Sequence, residues 1–584
     1  MLEKENMTWN KGELLSPTAK MFHEPSINCY VIAAVGFKTR VNPQVIREGL
    51  GQTLLKHPRF ISKLVKEGRK RKWIPTTVDL DKHVIVPEID SNSNVEQADR
   101  FVEDYISHFI KTPLDMSKPL WELHILNIKT SDAEAVAIFR IHHSLGDGAS
   151  LISLLLAATR KTSDPLALPT VPTQNKHSSR HRSTPFSWLF AIWWGLLLIC
   201  HTLLDVLLFI LTIFFIRDTP TPLKGPPGVG SNNKRFVHRT VSMDDIKLIK
   251  NEMKTTINDV MLGVTQAALT RYLNRAYADV NSNINGAKER SSVHKKIRLR
   301  ASLMVNIRPG GGIQDLADMM AEKSKVKWGN WIGYIILPFS IALCEDPLEY
   351  VRQAKNTIDR KKHSLEAILS NVCAKAILNL LGVKAAATLT QTVLSNTTLT
   401  FSNVPGPVEE ISFFGQPVAY IAPTVYGHPH ALTIHFQSHA KKMTISVAVD
   451  PLVIPDPYLL CDDLEHSLNL IRDAVQRKKS NRLTTYTYCE KLGHTETIYY
   501  RKNGFPNQEI KNLRGTNNRK LYTHCGRTRH AIEVCYRKHG YPSGHKFFNN
   551  KQSQVKNVST QEDNDVGKDQ NCNEVADVRL TPQQ

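Results

Sequence analysis

The residues best equipped for chemistry lie in one stretch, Arg140-Ile141-His142-His143-Ser144-Leu145-Gly146-Asp147-Gly148-Ala149-Ser150. A neutral imidazole titrates near working pH and can act as a general base in a transition state. His143 would take the proton of a hydroxyl, whose oxygen would then attack an activated acyl carbon. Asp147 lies between glycines that allow a tight turn, and it could hydrogen-bond nearby backbone or an arginine and so fix the loop presenting the histidine. A buried His-His pair beside an ordinary turn would account for the two histidines alone. The spacing H-H-x-x-x-D-G fixes four positions at once, which favours a functional reading.

The flanking segments explain how such a group would be held. Ala135-Val136-Ala137-Ile138-Phe139 is a short apolar run with β-branched members and reads as a buried strand. Leu151 to Ala158 reads as a helix. The histidines therefore fall where a strand ends and a turn begins, a common place for catalytic groups on a rigid scaffold. Farther out, Val45 to Leu55 reads as an amphipathic helix, while the basic run Lys63 to Trp73 reads as a solvated face. Trp121, on a strand leading towards the histidines, reads as core. Thr256 followed by Asp259 is a capping-box-like helix start, with apolar residues at 257, 260, 261, 264, 267 and 268 as its buried stripe. Asn258 in that start could donate to a developing oxyanion, or Asn258 and Asp259 could do no more than cap the helix. Arg298 to Asn306 and Met443 to Asp450 read as strands. Periodicity alone gives mixed strands and helices.

HHSLGDG resembles the HHxxxDG motif of the CoA-dependent acyltransferase superfamily. The surrounding chain, from about Leu15 to about Gln476, looks like the plant-type bifunctional wax ester synthase/diacylglycerol acyltransferases. Leu15-Ser16-Pro17, Pro119-Leu120-Trp121, Asn258-Asp259-Val260, Trp328 to Tyr334, Ser402-Asn403-Val404-Pro405-Gly406-Pro407 and Tyr426-Gly427-His428-Pro429 all resemble family segments. The resemblance implies an α/β (α+β) fold of two chloramphenicol-acetyltransferase-like halves with a channel between them. It implies transfer of a fatty acyl group from acyl-CoA to a long-chain alcohol, to diacylglycerol, or to both, with no metal and no covalent acyl-enzyme. His143, His142 and Asp147 would be catalytic, with His143 as the base. Gly148, Asn258 and Asp259 would contact substrate, and His428 is given no role. The expected setting is the endoplasmic reticulum membrane, with the plasma membrane as second candidate and the active site facing the cytosol.

Composition agrees with an anionic partner such as a membrane surface or a phosphate-bearing carrier. Lys and Arg number 75 against 54 Asp and Glu in 584 residues, a net charge of +21. Nine scattered cysteines and a polar start, Met1-Leu2-Glu3-Lys4-Glu5-Asn6, suggest a reducing, cytosol-facing protein without a disulfide framework. The halves would be 1–184 and 235–477, separated by a hydrophobic segment (185–217) and a Pro/Gly linker (218–234). Helical, Phe186 to Ile216 would extend about 46 Å, enough for a bilayer core. Its tryptophans cluster at one end, and its polar His201, Thr202, Asp205 and Thr212 fall on one helical face. A single crossing would place the two halves on opposite sides of a membrane, so membrane association without a simple span is expected.

After about Arg477 the character changes. Tyr486-x2-Cys489-x4-His494-x4-Tyr499 recurs 36 residues later as Tyr522-x2-Cys525-x4-His530-x4-Cys535. Both copies (478–548) resemble the CCHC zinc knuckle of Copia-like retrotransposon gag proteins. Structural zinc wants four soft or borderline ligands, and the first copy keeps only Cys489 and His494. Cys525, His530 and Cys535 are weak metal candidates, needing His524 or His539 as a fourth ligand, so zinc is not expected. Residues 549–584 are polar and read as disordered. The tail's interleaved basic and aromatic residues admit a nucleic-acid-binding alternative, although the degraded ligand sets argue against it. An inactive relative is the third reading, opposed by the intact HHSLGDG.

Overall fold

The strand bearing the histidines owes its place to a sequence that is apolar on both faces, and only a strand covered on both sides can use it. In the computed structural model, residues 12–68, 70–89, 94–172, 187–229, 233–285, 297–309, 313, 316–320 and 327–483 are described, together with two short ribbons beyond them. Along the chain come β1 (Glu13–Leu14), α1 (Pro17–Met21), β2 (Tyr30–Phe37), α2 (Pro43–Gln52), β3 (Ser62–Glu67), β4 (Lys70–Pro75), β5 (Val84–Ile85), α3 (Val95–Phe109), β6 (Trp121–Leu126), β7 (Ala135–His142), α4 (Gly148–Ala158) and β8 (Thr159–Lys161). Then follow α5 (Ser187–Phe214), β9 (Arg235–Ser242), α6 (Met243–Met253), α7 (Ile257–Asn285), β10 (Leu299–Asn306), α8 (Leu316–Met320), β11 (Ile332–Phe339), α9 (Leu348–Lys362) and α10 (Glu366–Ser395). The last are β12 (Leu399–Val404), β13 (Ile411–Phe413), β14 (Gln416–Tyr426), β15 (Leu432–His439), β16 (Lys442–Val449) and α11 (Pro457–Leu483).

Two sheets organise these elements, a seven-stranded one in the order β5-β6-β7-β2-β14-β13-β8 and a six-stranded one in the order β11-β10-β12-β15-β16-β9. Each has its own hydrophobic core. This is the α/β arrangement in two halves that was expected, with one feature sequence order does not reveal. β13 and β14 belong by sequence to the second half but complete the first sheet. β14 pairs with β2 and β2 with β7, so Tyr426, Tyr30 and His142 form one rung.

Trp121 is fully buried and its Nε1 donates to Phe60 O at 2.9 Å, so it is core. Lys63 to Trp73 departs from the solvated-face expectation. β3 and β4 form an antiparallel hairpin that buries Trp73 completely and Leu64 nearly so. A dense run of lysines and arginines disguised strands that bury one face.

The hydrophobic segment is the helix α5, and the polar residues on one face explain its placement. Thr202 Oγ1 accepts from Leu365 N at 3.0 Å. Asp205, wholly buried, accepts from Arg360 Nη1 at 2.8 Å and Lys361 Nζ at 2.9 Å. Thr212 Oγ1 accepts from Arg300 Nη1 at 2.6 Å. The other face leaves Trp188, Trp193, Trp194, Leu203 and Leu207 exposed. α10 packs beside it and leaves Ile368, Val372, Leu380 and Leu381 exposed. Both helices are long and apolar enough, by length and composition, to cross a membrane. α10 is interrupted at Gly382, whose φ of 86° is non-helical. Its first limb, 366–381, is therefore about 24 Å long, short of the ~30 Å hydrocarbon core.

Contacts divide the chain into residues 1–496 and 497–584. In the tail, Thr485–Tyr486 pairs with Lys491–Leu492 and Leu521–Tyr522 with Arg527–Thr528. The knuckle-like positions Cys489, His494, Cys525, His530 and Cys535, and the stretch 549–584, lie outside the described residues. Among the described residues, Cys29, Cys200, Cys344, Cys373 and Cys461 are free.

Candidate active site

β7 ends at His142 and α4 begins at Gly148, so only residues 143–147 separate strand from helix. Asp147 is the N-cap of α4, its Oδ1 accepting from Ser150 N at 3.0 Å. Its other oxygen accepts from Arg308 Nη1 at 2.8 Å and from Trp331 N at 2.8 Å. Arg308 and Asp147 are both buried. The aspartate thus bonds both backbone and an arginine, as its position in the turn suggested. Arg308 continues to Ser150 Oγ at 2.9 Å and Gly329 O at 2.6 Å. Trp328 Nε1 donates to Leu145 O at 2.7 Å, and its ring lies where a Cβ on Gly146 would come within 3.1 Å. Residues of the second half therefore clamp the loop from the side the first half leaves open.

The two histidines differ in what their ring nitrogens do. His142 Nδ1 accepts from Ser144 N at 3.2 Å, with Ser144 Oγ at 2.7 Å. Its proton therefore sits on Nε2, which donates to Asn28 Oδ1 at 3.0 Å. Stacked on His23 and edge-on to Tyr30, His142 has both nitrogens occupied. His143 Nδ1 lies 3.1 Å from Asn330 Oδ1, while Asn330 Nδ2 donates to His143 O at 3.0 Å. The second bond fixes which end of the amide is oxygen, so Nδ1 carries the proton and donates. Nε2 is left with a lone pair and no hydrogen-bond partner among the described residues. Phe22 stacks on the ring with centroids 4.4 Å apart. Burial lowers the pKa of His143 below the usual imidazole value, opposed by the Asp147 charge. The ring is neutral at working pH, which a proton acceptor requires.

From the other half, β12 reaches the same place. The nearest atom to a Cβ built on Gly148 would be Val404 Cγ2 at 4.0 Å, so the start of α4 faces the end of β12 with room to spare. Next to Val404, Asn403 Nδ2 donates to Asn258 Oδ1. Asn258 is exposed, and that orientation leaves its Nδ2 hydrogens free of partners among the described residues. Asp259 is buried in a reciprocal cap, accepting from Thr256 N at 2.8 Å while its own N–H donates to Thr256 Oγ1 at 3.2 Å. The structure thus brings His142, His143, Asp147 and Gly148 into one loop, with Asn258 at the facing edge and Asp259 behind it.

The comparisons with known proteins bear directly on this site. Residues 43–261 match the wax ester synthase/diacylglycerol acyltransferase catalytic domain, and residues 328–472 match the WS/DGAT C-terminal domain. Wax ester synthase/diacylglycerol acyltransferase 5 of Arabidopsis thaliana is 55% identical over 483 residues, covering 80% of this chain and 94% of that protein. The chain belongs to the wax ester synthase/diacylglycerol acyltransferase family. Wax ester synthase/diacylglycerol acyltransferase 11 of the same plant is 54% identical over 469 residues, covering 79% of this chain and 95% of its own length. Among solved structures, the wax ester synthase/diacylglycerol acyltransferase of Marinobacter aquaeolei VT8 superposes with a TM-score of 0.50 at 16% identity, over 80% of this chain and all of that one, a likeness of fold.

Against this family background, the residues that sequence reasoning left without a role are Asn330, Arg308 and Phe22. Asn330 stands within the block Trp328 to Tyr334, which resembles a family segment without any residue of it being given a role, and Arg308 lies just past the strand Arg298 to Asn306. His428 is a fourth case. Gly427, with φ of 106°, lets the chain pass Asn28, where a Cβ would lie 2.0 Å from Asn28 O. His428 follows, buried, with Nδ1 3.0 Å from Thr400 Oγ1. Burial first, and then neighbouring His143, lower its pKa to about 3.

Proposed function

We propose that this chain transfers a fatty acyl group from acyl-CoA to the hydroxyl of a long-chain alcohol or of diacylglycerol, with His143 as general base. The observation that carries the reading is the Nε2 of a neutral His143, without a partner among the described residues, while its other nitrogen is held by Asn330. Nε2 accepts the acceptor's proton as its oxygen bonds to the thioester carbonyl carbon. The C–S bond then breaks, and the imidazolium returns the proton to the departing thiolate. The Asp147 carboxylate, fixed by Arg308 and Trp331 N, favours the transient imidazolium. Asn258 Nδ2 supplies a hydrogen bond to the oxyanion, and Asp259 holds the helix end that carries Asn258. Gly148 leaves space for substrate between α4 and β12. His142 positions the loop.

Membrane association follows from α5 and α10. Their exposed apolar faces adjoin, and the tryptophans gather at the start of α5 as interfacial anchors do. The polar ties of Thr202, Asp205 and Thr212 hold α5 along the protein, so the pair embeds in one leaflet and does not cross it. The expected location is the endoplasmic reticulum membrane, or the plasma membrane, with the site facing the cytosol. None of the matched relatives supports the nucleic-acid reading of the tail.

Microsomes expressing the chain or its His143→Ala variant, given labelled palmitoyl-CoA with hexadecanol or diacylglycerol, test this. Wax ester or triacylglycerol from the parent, reduced about 10²–10⁴-fold in the variant at equal expression, is the expected result. Equal product from both removes His143 from the chemistry. Absence of product from the parent and from a chain ending at Arg477 removes the acyltransferase reading.

A further inference from the structure

α10 folds back on itself. Thr202 of α5 is bonded by Leu365 N at the start of α10, and Thr212 O accepts from Asn396 Nδ2 at its end, at 2.7 Å. Thr202 and Thr212 stand about 15 Å apart along α5, whereas a straight helix with the 30 residues of α10 would run about 45 Å. The break at Gly382 is therefore an elbow between two limbs. Both limbs pack on one support, with Leu378 from the first and Ala386 and Ala387 from the second meeting Met21 and Ile27. At the tip of the elbow, Leu380 and Leu381 are 82% and 68% exposed, more open than Ile368 and Val372 lower on the first limb. The charges are equally one-sided. Asp205, Glu366, Lys375 and Lys384 are the charged residues of α5 and α10. Both acids are buried and bonded to Lys361, and both lysines are exposed.

We propose that this elbow is a docking wedge for an anionic phospholipid leaflet, with Leu380 and Leu381 entering the acyl-chain boundary and Lys375 and Lys384 meeting negatively charged headgroups. The inference rests on the leaflet reading above and adds the segment that enters and the class of lipid that receives it. Burying two leucines that are open to water is favourable wherever hydrocarbon is on offer. An apolar helix element that lies in the interface sinks about 5–10 Å. Lys375 stands about 10 Å up the first limb from Gly382, which sets its ammonium at headgroup depth when the tip is inserted. Lys384 is next to the tip, and its long stem lets the ammonium rise to the same level. With both acids buried, neither helix offers the lipid an exposed carboxylate to repel it. Each lysine near an anionic surface adds attraction that a zwitterionic surface does not supply. The elbow rests on Met21, whose neighbour Phe22 stacks on His143, so docking there sets the reacting loop beside the leaflet.

Vesicle flotation tests the wedge. The purified full chain is mixed with vesicles of phosphatidylcholine alone, or of equimolar phosphatidylcholine and phosphatidylserine, and the bound fraction is measured. Two variants accompany it, Leu380→Ser with Leu381→Ser and Lys375→Gln with Lys384→Gln, and all four side chains are exposed, so melting should match the parent. The parent should bind the mixed vesicles about tenfold or more tighter than the neutral ones. The serine pair should weaken binding to both vesicles about tenfold or more. The glutamine pair should weaken binding to the mixed vesicles alone, about fivefold per lysine. If the serine pair binds as the parent does, α5 carries the association, the leaflet reading stands and the wedge falls. A parent indifferent to phosphatidylserine overturns the choice of lipid. A parent that binds neither vesicle overturns the leaflet reading and the wedge together. A dimeric parent that the serine pair turns into a monomer assigns the tip to a second copy of the chain and overturns the wedge as well.

Discussion

His142 ends β7 and His143 begins the turn after it, and the two halves of the molecule treat them differently. His142 is held entirely within the first half, by Ser144 and Asn28, and both its nitrogens are occupied. His143 is held from the second half, by Asn330, and its other nitrogen has no partner among the described residues. Identical side chains one residue apart thus take the proposed roles of strut and base, because different halves complete their hydrogen bonds. The hydrogen bonding that sets the proposed base is complete only when the halves are docked. A site assembled this way couples chemistry to the interface, so damage to the clamp should register in stability as well as in rate.

The largest such effect is expected at Asp147. Asp147→Ala leaves Arg308 buried without its carboxylate, and breaking one side of a buried ion pair costs about 3–5 kcal/mol. The denaturant midpoint should fall accordingly, with ester formation lost alongside. Replacing both partners by apolar residues, Asp147→Leu with Arg308→Met, should restore much of the midpoint but not the activity. If the double variant is no more stable than the single, the clamp is not an ion pair in energetic terms.

The strut should matter less than the base. His142→Ala removes the neutral hydrogen bonds to Ser144 N, Ser144 Oγ and Asn28 Oδ1, of about 1 kcal/mol each, and kcat should fall about tenfold, far less than for His143→Ala. The acid limb of its pH profile should stay where the parent's is, since the titrating group is untouched. A moved limb in His142→Ala would mean that the two imidazoles titrate as a coupled pair and that the division of labour is wrong.

How much of this was legible in the sequence depends on the range of each interaction. The strand and the turn around Asp147 are local, and their residue types announced them; that Asp147 caps α4 did not show until the helix was seen to begin at Gly148. The polar stripe on α5 is local too, because helical periodicity places Thr202, Asp205 and Thr212 on one face. Asn330 lies 187 residues from His143 in sequence, and an asparagine in a Trp-Gly-Asn-Trp block carries no mark of its partner. Arg308 closing onto Asp147, and β14 crossing into the first sheet, are likewise tertiary facts. Trp73 reads as part of a solvated face because the basic residues around it dominate composition; β3 alternates buried and half-buried positions only over its first four residues, and in β4 Trp73 alone is buried.

The finest test of the comparison alters only the character of the group behind the base. Asn330→Asp keeps an acceptor for His143 Nδ1–H and replaces a neutral oxygen by a carboxylate. Burial holds the pKa of His143 below the usual imidazole value, so parent activity should be flat above neutrality and fall only in acid, as Nε2 becomes protonated. A carboxylate beside Nδ1 favours the imidazolium and raises that pKa. The acid limb of kcat/KM should therefore move to higher pH in the variant, with activity on the alkaline plateau changed only a few-fold. The variant also loses the Nδ2 bond to His143 O, so some loss on the plateau is expected irrespective of pH. The direction of the limb is the decisive readout, because a merely structural asparagine would lower the plateau and leave the limb in place.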